Sequence, residues 1–319
     1  MKAPLTVIAL FFTVFCAPAP GRPPGPATAV PSVTFGPERS TAFRYEEPHA
    51  AAKATLLKRI NWERRAASVR ELKYDLRGAK VGDGFCLLSI QEGTSGHWDL
   101  SGRSPYLRWA LAGGVDYHAQ NFAAQSQSPG PLRGPIERYM LEAHARMMAE
   151  VPPADGHKRA VLDPNWTHVG IGAALVDGEF RLTEEFSRQE LEWVEIPAGA
   201  IKKKEIAHVA AKLPSGWNLL LVEICFEPFP KPMSRRQIAA LDSYSYPPPL
   251  RRFRPKLGGH QKYGDGLPGE IEIGPGGIFR VPVTPTSGPG NYFVLVYAGH
   301  GKVFGKMIGP VTGALVVAK

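Results

Sequence analysis

The chain has 319 residues with 34 Gly and 31 Pro, and 44% of it is hydrophobic and 10% aromatic. That apolar content is enough for packed cores, and it excludes collagen, coiled coil and wholesale disorder. Thirty-eight Lys and Arg against 29 Asp and Glu give a formal charge of +9, which bears on solubility and attraction to anionic surfaces rather than on fold, and does not by itself indicate nucleic acid.

Taken in chain order, residues 5–16 run almost without polar interruption after Lys2. Their length suits a signal-peptide core and is too short to span a bilayer. The expected leader is a signal peptide over 1–29, cut after Ala27-Thr28-Ala29, followed by a Pro/Ala-rich segment over 30–51. No later segment is long and apolar enough to act as an anchor, so the expected location is secreted, periplasmic or at the cell surface. Cys16 leaves with the signal, and Cys86 and Cys225 are too few for a disulfide framework. Their pairing is left open by the sequence.

Leu56, Leu57, Ile60 and Ala67 form a helical stripe within 51–69, and Leu72, Leu76 and Ala79 extend it into a second helix. Residues 85–91 form a short apolar stretch. Over 136–149 the series Ile136, Met140, Ala143, Met147 predicts an amphipathic helix, with Pro135 at its start and Pro152-Pro153 after its end. Residues 168–176 and 179–186 are β-type runs joined by Asp177-Gly178, a dipeptide suited to the positive φ of a type I′ hairpin. The first half, 52–196, is therefore expected to be an α+β domain. A linker over 197–213 contains Lys202-Lys203-Lys204. Short strands over 219–226, 270–273, 278–283, 292–298 and 313–317 predict a small β-sandwich domain over 214–319. It is interrupted by a Pro-rich insertion over 228–268 that carries Arg251, Arg252, Arg254 and Lys256.

Candidate chemistry falls in the first half. His97 lies in the Gly-rich segment GHWDLSGRSPYLR, Gln120 and Asn121 in YHAQNF, and His157 after the Pro-Pro break. Glu142 and His144 are two apart on one helix and so lie on different faces. Two imidazoles with a carboxylate suit a divalent cation such as zinc, or acid–base work near neutrality. Taken singly, each histidine reads as a structural or surface residue. HExxH, GxSxG, paired CxxC and Walker patterns do not occur, so the standard hydrolase and nucleotide signatures are missing.

The ordered series from Leu57 to Arg64, through His97, Gly102, Arg108 and Gly113-Gly114 to Gln120-Asn121, and on through His144 and Met148 into Gly156-His157, Asp163-Pro164 and His168-Val169-Gly170-Ile171-Gly172, resembles the bacterial branch of the CAP superfamily, the SCP-like extracellular domains. The resemblance covers about 52–190. It implies an α-β-α sandwich with a central antiparallel sheet and a polar cavity holding two histidines and two acids. His97 and His157 take the histidine places and Glu142 the acid on the helix, whereas Gln120 stands where the family has a glutamate. A neutral amide supplies no negative charge, so a cation is held less tightly there.

These features together describe an exported two-domain protein whose cleft, lined by His97, Gln120, Glu142 and His157, binds a polar ligand, a lipid or a divalent cation at or near the cell envelope. Any metal is assigned to His97 and His157. The alternatives are a metal-assisted hydrolase of peptides or cell-wall polymer with Glu142 as general base, and adhesion or carbohydrate binding through the β domain. Cell-wall or lipid ligands fit as partners, while the Pro density among the aromatics and basic residues of the insertion argues against nucleic acid.

Overall fold

The computed structural model describes residues 46–126, 131–241, 243–300 and 309–319. The expected signal peptide and the leader up to residue 45 lie outside the described residues. Along the chain come α1 (Ala50–Ala66), β1 (Lys73–Tyr74), α2 (Leu76–Glu92), α3 (Pro105–Leu111), β2 (Tyr117–Ser126), α4 (Ile136–Met148), α5 (Gly156–Leu162), β3 (His168–Val176) and β4 (Glu179–Arg188). They are followed by β5 (Glu192–Glu195), β6 (Ala207–Lys212), β7 (Trp217–Glu227), α6 (Arg235–Ala239), β8 (Pro249–Phe253), β9 (Ile278–Val283), β10 (Gly290–His300) and β11 (Thr312–Ala318). The fold is α+β.

The first sheet has the order β1-β3-β4-β2, with β1 parallel to β3 and the other pairs antiparallel. Side chains alternate between its faces. Val169, Ile171, Leu182 and Phe186 share a core with Leu56 and Ile60 of α1, Met140 and Ala143 of α4 and Val161 of α5. The opposite face carries Gly170 and Gly172, against which α2 lies backbone to backbone through Gly78 and Gly82. Asp75 caps α2, its side chain accepting from the backbone N–H of Arg77 and Gly78, and Gly93 ends the helix at φ 61°. The second apolar stripe and the stretch over 85–91 are thus one helix, while Leu72 precedes a short strand instead of belonging to the helix.

The second half is two packed sheets, β11-β10-β7-β8 and β5-β6-β9. Val209, Val222, Ile224, Val281, Val294 and Val296 fill the space between them. Strand β6, the middle strand of the smaller sheet, falls inside 197–213. Residues 270–273, expected as a strand, make only single bridges, Pro255 to Ile271 and Ile273 to Phe279. The outer face of β7 and β10 presents Cys225, Phe293 and Leu295 to Tyr106 and Leu107 of α3, with Tyr244 and Tyr246 of the Pro-rich insertion packed beside them. Cys86 and Cys225 are both free and buried.

Candidate functional site

His97 sits on the loop between α2 and α3, and the loop is shaped by a buried carboxylate. Asp99 accepts from the backbone N–H of Arg103 at 3.0 Å and from its Nε at 2.8 Å. Gly102 turns the chain at φ 76°, and a Cβ there would lie 2.2 Å from the carbonyl oxygen of Lys231, a place only glycine fits. Arg108 of α3 donates to the carbonyl oxygens of Arg103 at 2.8 Å and His97 at 2.9 Å, with its guanidinium 3.6 Å from the centre of the Phe85 ring. The backbone of residue 97 is therefore held by a buried cation.

The ring is held by Gln120. In the β2–β4 register Gln120 pairs with Glu185 and Asn121 with Glu184, so neighbouring residues of β2 point to opposite faces of the sheet and each meets a glutamate of β4. Gln120 donates through Nε2 to Glu185 Oε1 at 2.8 Å. Its carbonyl oxygen is thereby turned to His97 Nδ1, 3.0 Å away. An amide oxygen only accepts, so His97 carries its proton on Nδ1 and leaves the Nε2 lone pair free. Burial lowers the His97 pKa to about 4, with the charges of His157 and Arg108 acting in the same direction and the Gln120 hydrogen bond opposing them. This imidazole is neutral at physiological pH. Behind it, Glu185 Oε2 approaches His118 Nε2 at 2.9 Å, and the His118 ring stacks on Trp109 at 4.9 Å.

His157 begins α5. Its backbone N–H and its Nδ1 both meet the carboxylate of Glu150, at 3.0 and 2.5 Å. A carboxylate accepts, so this ring too commits Nδ1–H to a neighbour. Asn121 Nδ2 donates to the His157 carbonyl oxygen at 3.1 Å. The two imidazole centres lie 6.4 Å apart with their planes inclined at 32°.

Glu142 corrects the sequence reading. Its side chain is 44% exposed and forms an ion pair with Arg138 one turn away at 3.1 Å, while the acid that bonds to an imidazole of the pair is Glu150. Helical geometry supplies the reason, because α4 turns His144 inward and residue 142, two positions earlier, outward. His144 is fully buried between two glutamates, Nδ1 to Glu184 Oε1 at 2.6 Å and Nε2 to Glu63 Oε2 at 2.7 Å. Burial alone would depress its pKa, but the charge of Glu184 and the hydrogen bonds that the ring donates to both carboxylates raise it to about 9. Burial tends to raise the Glu63 pKa, and hydrogen bonds from His144 and Arg59 overcome this and hold it below the ordinary value. The sequence reading missed Glu63, Glu150, Glu184 and Glu185. Only Glu184 and Glu185 had a usable signal, as two consecutive acids in a run that otherwise reads as a buried strand.

The outer wall comes from the Pro-rich insertion. Tyr244 packs edge-on against His97, with ring centres 4.8 Å apart, and its hydroxyl bonds both backbone groups of Gln120, donating to the carbonyl oxygen at 3.0 Å and accepting from the N–H. It thus occupies the free edge of β2 as a neighbouring strand would. Tyr246 stacks on Tyr106 at 4.2 Å and on Tyr117 at 5.5 Å. Tyr244→Phe, which removes both hydrogen bonds and keeps the ring, is expected to cost about 1 kcal/mol in urea unfolding. Tyr244→Ala also uncovers His97, and its carbethoxylation by diethylpyrocarbonate, followed by mass spectrometry, is expected to speed up at least fivefold. Four basic residues of the same insertion are paired with acids: Arg251 with Glu270, Arg252 with Glu223, Arg254 with Asp265 and Lys256 with Glu272.

Among the described residues no three His, Cys, Asp or Glu side chains converge as a ready cation cage. The pair His97 and His157 offers two imidazole nitrogens, each backed by a hydrogen-bond acceptor on the opposite ring atom. That backing orients metal-binding histidines and raises their basicity, so the donor set fits an open two-histidine site and not a closed structural zinc site.

No family model matches the chain, and no curated protein sequence matches it. In structure it aligns with an extracellular protein containing an SCP domain from Bacillus anthracis, at 18% identity and a TM-score of 0.36, over 44% of this chain and 41% of that one. It also aligns with an outer surface protein from Borrelia burgdorferi, at 15% identity and a TM-score of 0.35, over 43% of this chain and 92% of that one. The chain thus spans less than half of the Bacillus protein. Among the described residues no helix is long and apolar enough to cross a membrane.

Proposed function

We propose that the protein is an exported binding protein of CAP-like design whose His97 and His157 together hold a divalent cation or the polar group of a small ligand near the cell envelope. The observation that carries this reading is the paired arrangement of the two rings, 6.4 Å apart, each with Nδ1 tied to a different acceptor. Two imidazole donors with no carboxylate among them suit a weak, exchangeable cation or a ligand oxygen bound through water. Gln120 contributes orientation in place of charge, and Glu185 behind it supplies the negative charge one residue further from the ligand. Glu150 compensates a cation through His157. Export is supported by the apolar run over 5–16. Residues 214–319 are read as a second domain, whose Pro-rich insertion braces the site through Tyr244.

Calorimetric titration of the mature protein with zinc tests this. One site per chain with a micromolar Kd is expected, weakened at least tenfold by either His97→Ala or His157→Ala. Absence of binding, or binding that survives both substitutions, would refute it. The hydrolase alternative loses its expected base, because Glu142 is engaged with Arg138 on the outer face of α4.

A further inference from the structure

Asn121 holds together two features that the binding reading leaves separate. One is the His97–His157 pair, through the 3.1 Å hydrogen bond from Asn121 Nδ2 to the carbonyl oxygen of His157. The other is the buried cluster Glu63–His144–Glu184, through the 3.0 Å hydrogen bond from the same Nδ2 to Glu184 Oε2. The cluster spans three elements: Glu63 is on α1, His144 on α4 and Glu184 on β4. All three side chains are nearly inaccessible, as is Asn121. His144 donates from both ring nitrogens, and Arg59 adds a 2.6 Å bond to the outer oxygen of Glu63. Glu184 Oε1 is taken by His144, so its second oxygen is fixed in direction and available only to Asn121. The amide of Asn121 must then present nitrogen to Glu184, and the remaining hydrogen of that nitrogen reaches the start of α5.

We propose that Asn121, oriented by the buried Glu63–His144–Glu184 cluster, is a positioning residue that sets the placement of His157 in the two-histidine site. The inference rests on the reading of His157 as half of that site. It adds a reason why α5 begins where it does: Glu150 holds the ring and backbone N–H of His157, and Asn121 holds its carbonyl. With donors and acceptors satisfied on both sides, the imidazole is located by the packed centre of the domain rather than by its own loop.

The test exchanges donor and acceptor inside the cluster. Asn121→Asp combined with Glu184→Gln keeps total charge and side-chain size. The new Gln accepts from His144 and donates to the new Asp, so the inner hydrogen bonds are retained, but two acceptors now face each other at the His157 carbonyl. The expected result is a folded protein with a lowered melting temperature, because Glu184 loses its charge beside His144, together with at least a tenfold loss in cobalt affinity followed by visible absorption and at least a threefold change in the rate of His157 modification by diethylpyrocarbonate. Asn121→Ala, which removes the link without exchanging charges, is expected to show the same loss of cobalt affinity and serves if the exchanged pair does not fold. Native cobalt affinity and native His157 reactivity in either variant would overturn the proposal. Failure of the native protein to take up cobalt would instead strike the binding reading, and His157 reactivity alone would then decide the positioning role.

Discussion

Substituting alanine for His144 is expected to lower the unfolding free energy at pH 7 by about 3–5 kcal/mol, the cost typical of breaking a buried ion pair from one side. The side chain is enclosed, and its removal leaves Glu63 and Glu184 facing each other with no cation between them. Solvation cannot replace the lost partner, because the cluster lies beneath α1 and α4. The pH dependence follows from the sign of the shift. A histidine whose pKa rises from 6.5 in the unfolded chain to about 9 in the folded protein contributes stability fully below pH 6.5 and loses it as pH rises through 9. The contribution corresponds to roughly 2–4 kcal/mol. His97 acts in the opposite direction, since its folded pKa is lowered to about 4 and protonation of the unfolded chain erodes stability as pH falls from 6.5 towards 4. Urea unfolding between pH 4 and 10 should therefore show a native maximum near neutrality whose alkaline decline is much reduced in His144→Ala. A cost under 1 kcal/mol at pH 7 would show that the cluster is not charged as described.

The second large effect belongs to Gly172. A Cβ on this residue would lie 2.1 Å from the carbonyl carbon of Gly82, 2.4 Å from its Cα and 2.6 Å from the N of Asp83. These are backbone atoms of α2, so no rotamer change relieves the contact and the helix must lift from the sheet. Gly172→Ala is expected to cost at least 3 kcal/mol and Gly172→Val to prevent stable folding, both at or beyond the upper end of ordinary overpacking. Thermal unfolding followed by circular dichroism checks both. An alanine variant within 1 kcal/mol of the native protein would mean that α2 does not rest on β3 at this distance.

The same glycines explain part of what the sequence hid. Gly78, Gly82 and Gly84 lower the helical propensity of α2 enough to split it into two expected pieces, yet Gly78 and Gly82 are present because the helix lies directly on Gly170 and Gly172. The β3–β4 hairpin was legible because its information is local: Asp177 at φ 51° and Gly178 at φ 76° form the turn between two alternating runs. The amphipathic stripe of α4 was legible for the same reason. Strand β2 was not, because it buries polar residues on both faces, His118 and Gln120 on one and Asn121 on the other, which breaks the alternation a strand ordinarily shows. Residues 270–273 have strand composition but meet only isolated partners across a Pro-rich stretch.

At the site, the sequence presented His97, Gln120 and His157, and the structure brings these three close together. The acids were the part it could not supply. Glu142 was chosen for its neighbourhood on the helix, but Glu184 and Glu185 reach β2 through strand pairing more than sixty positions away. Gln120 in place of a carboxylate reads as a loss along the chain, and in the fold it is a relay between His97 and Glu185. Such pairings depend on register, which no short motif encodes.

In the proposed function the imidazoles of His97 and His157, each with Nδ1 bonded to a neighbour, share one site through their Nε2 atoms. Long-range proton–nitrogen spectra of the ring nitrogens in the mature protein, recorded near pH 7 with and without one equivalent of zinc, test it most directly. The expected result is the Nδ1–H tautomer at His97, a hydrogen-bonded Nδ1–H at His157, and a concerted change at both Nε2 nuclei on adding zinc. The opposite tautomer at His97, or a response confined to one ring, would contradict it.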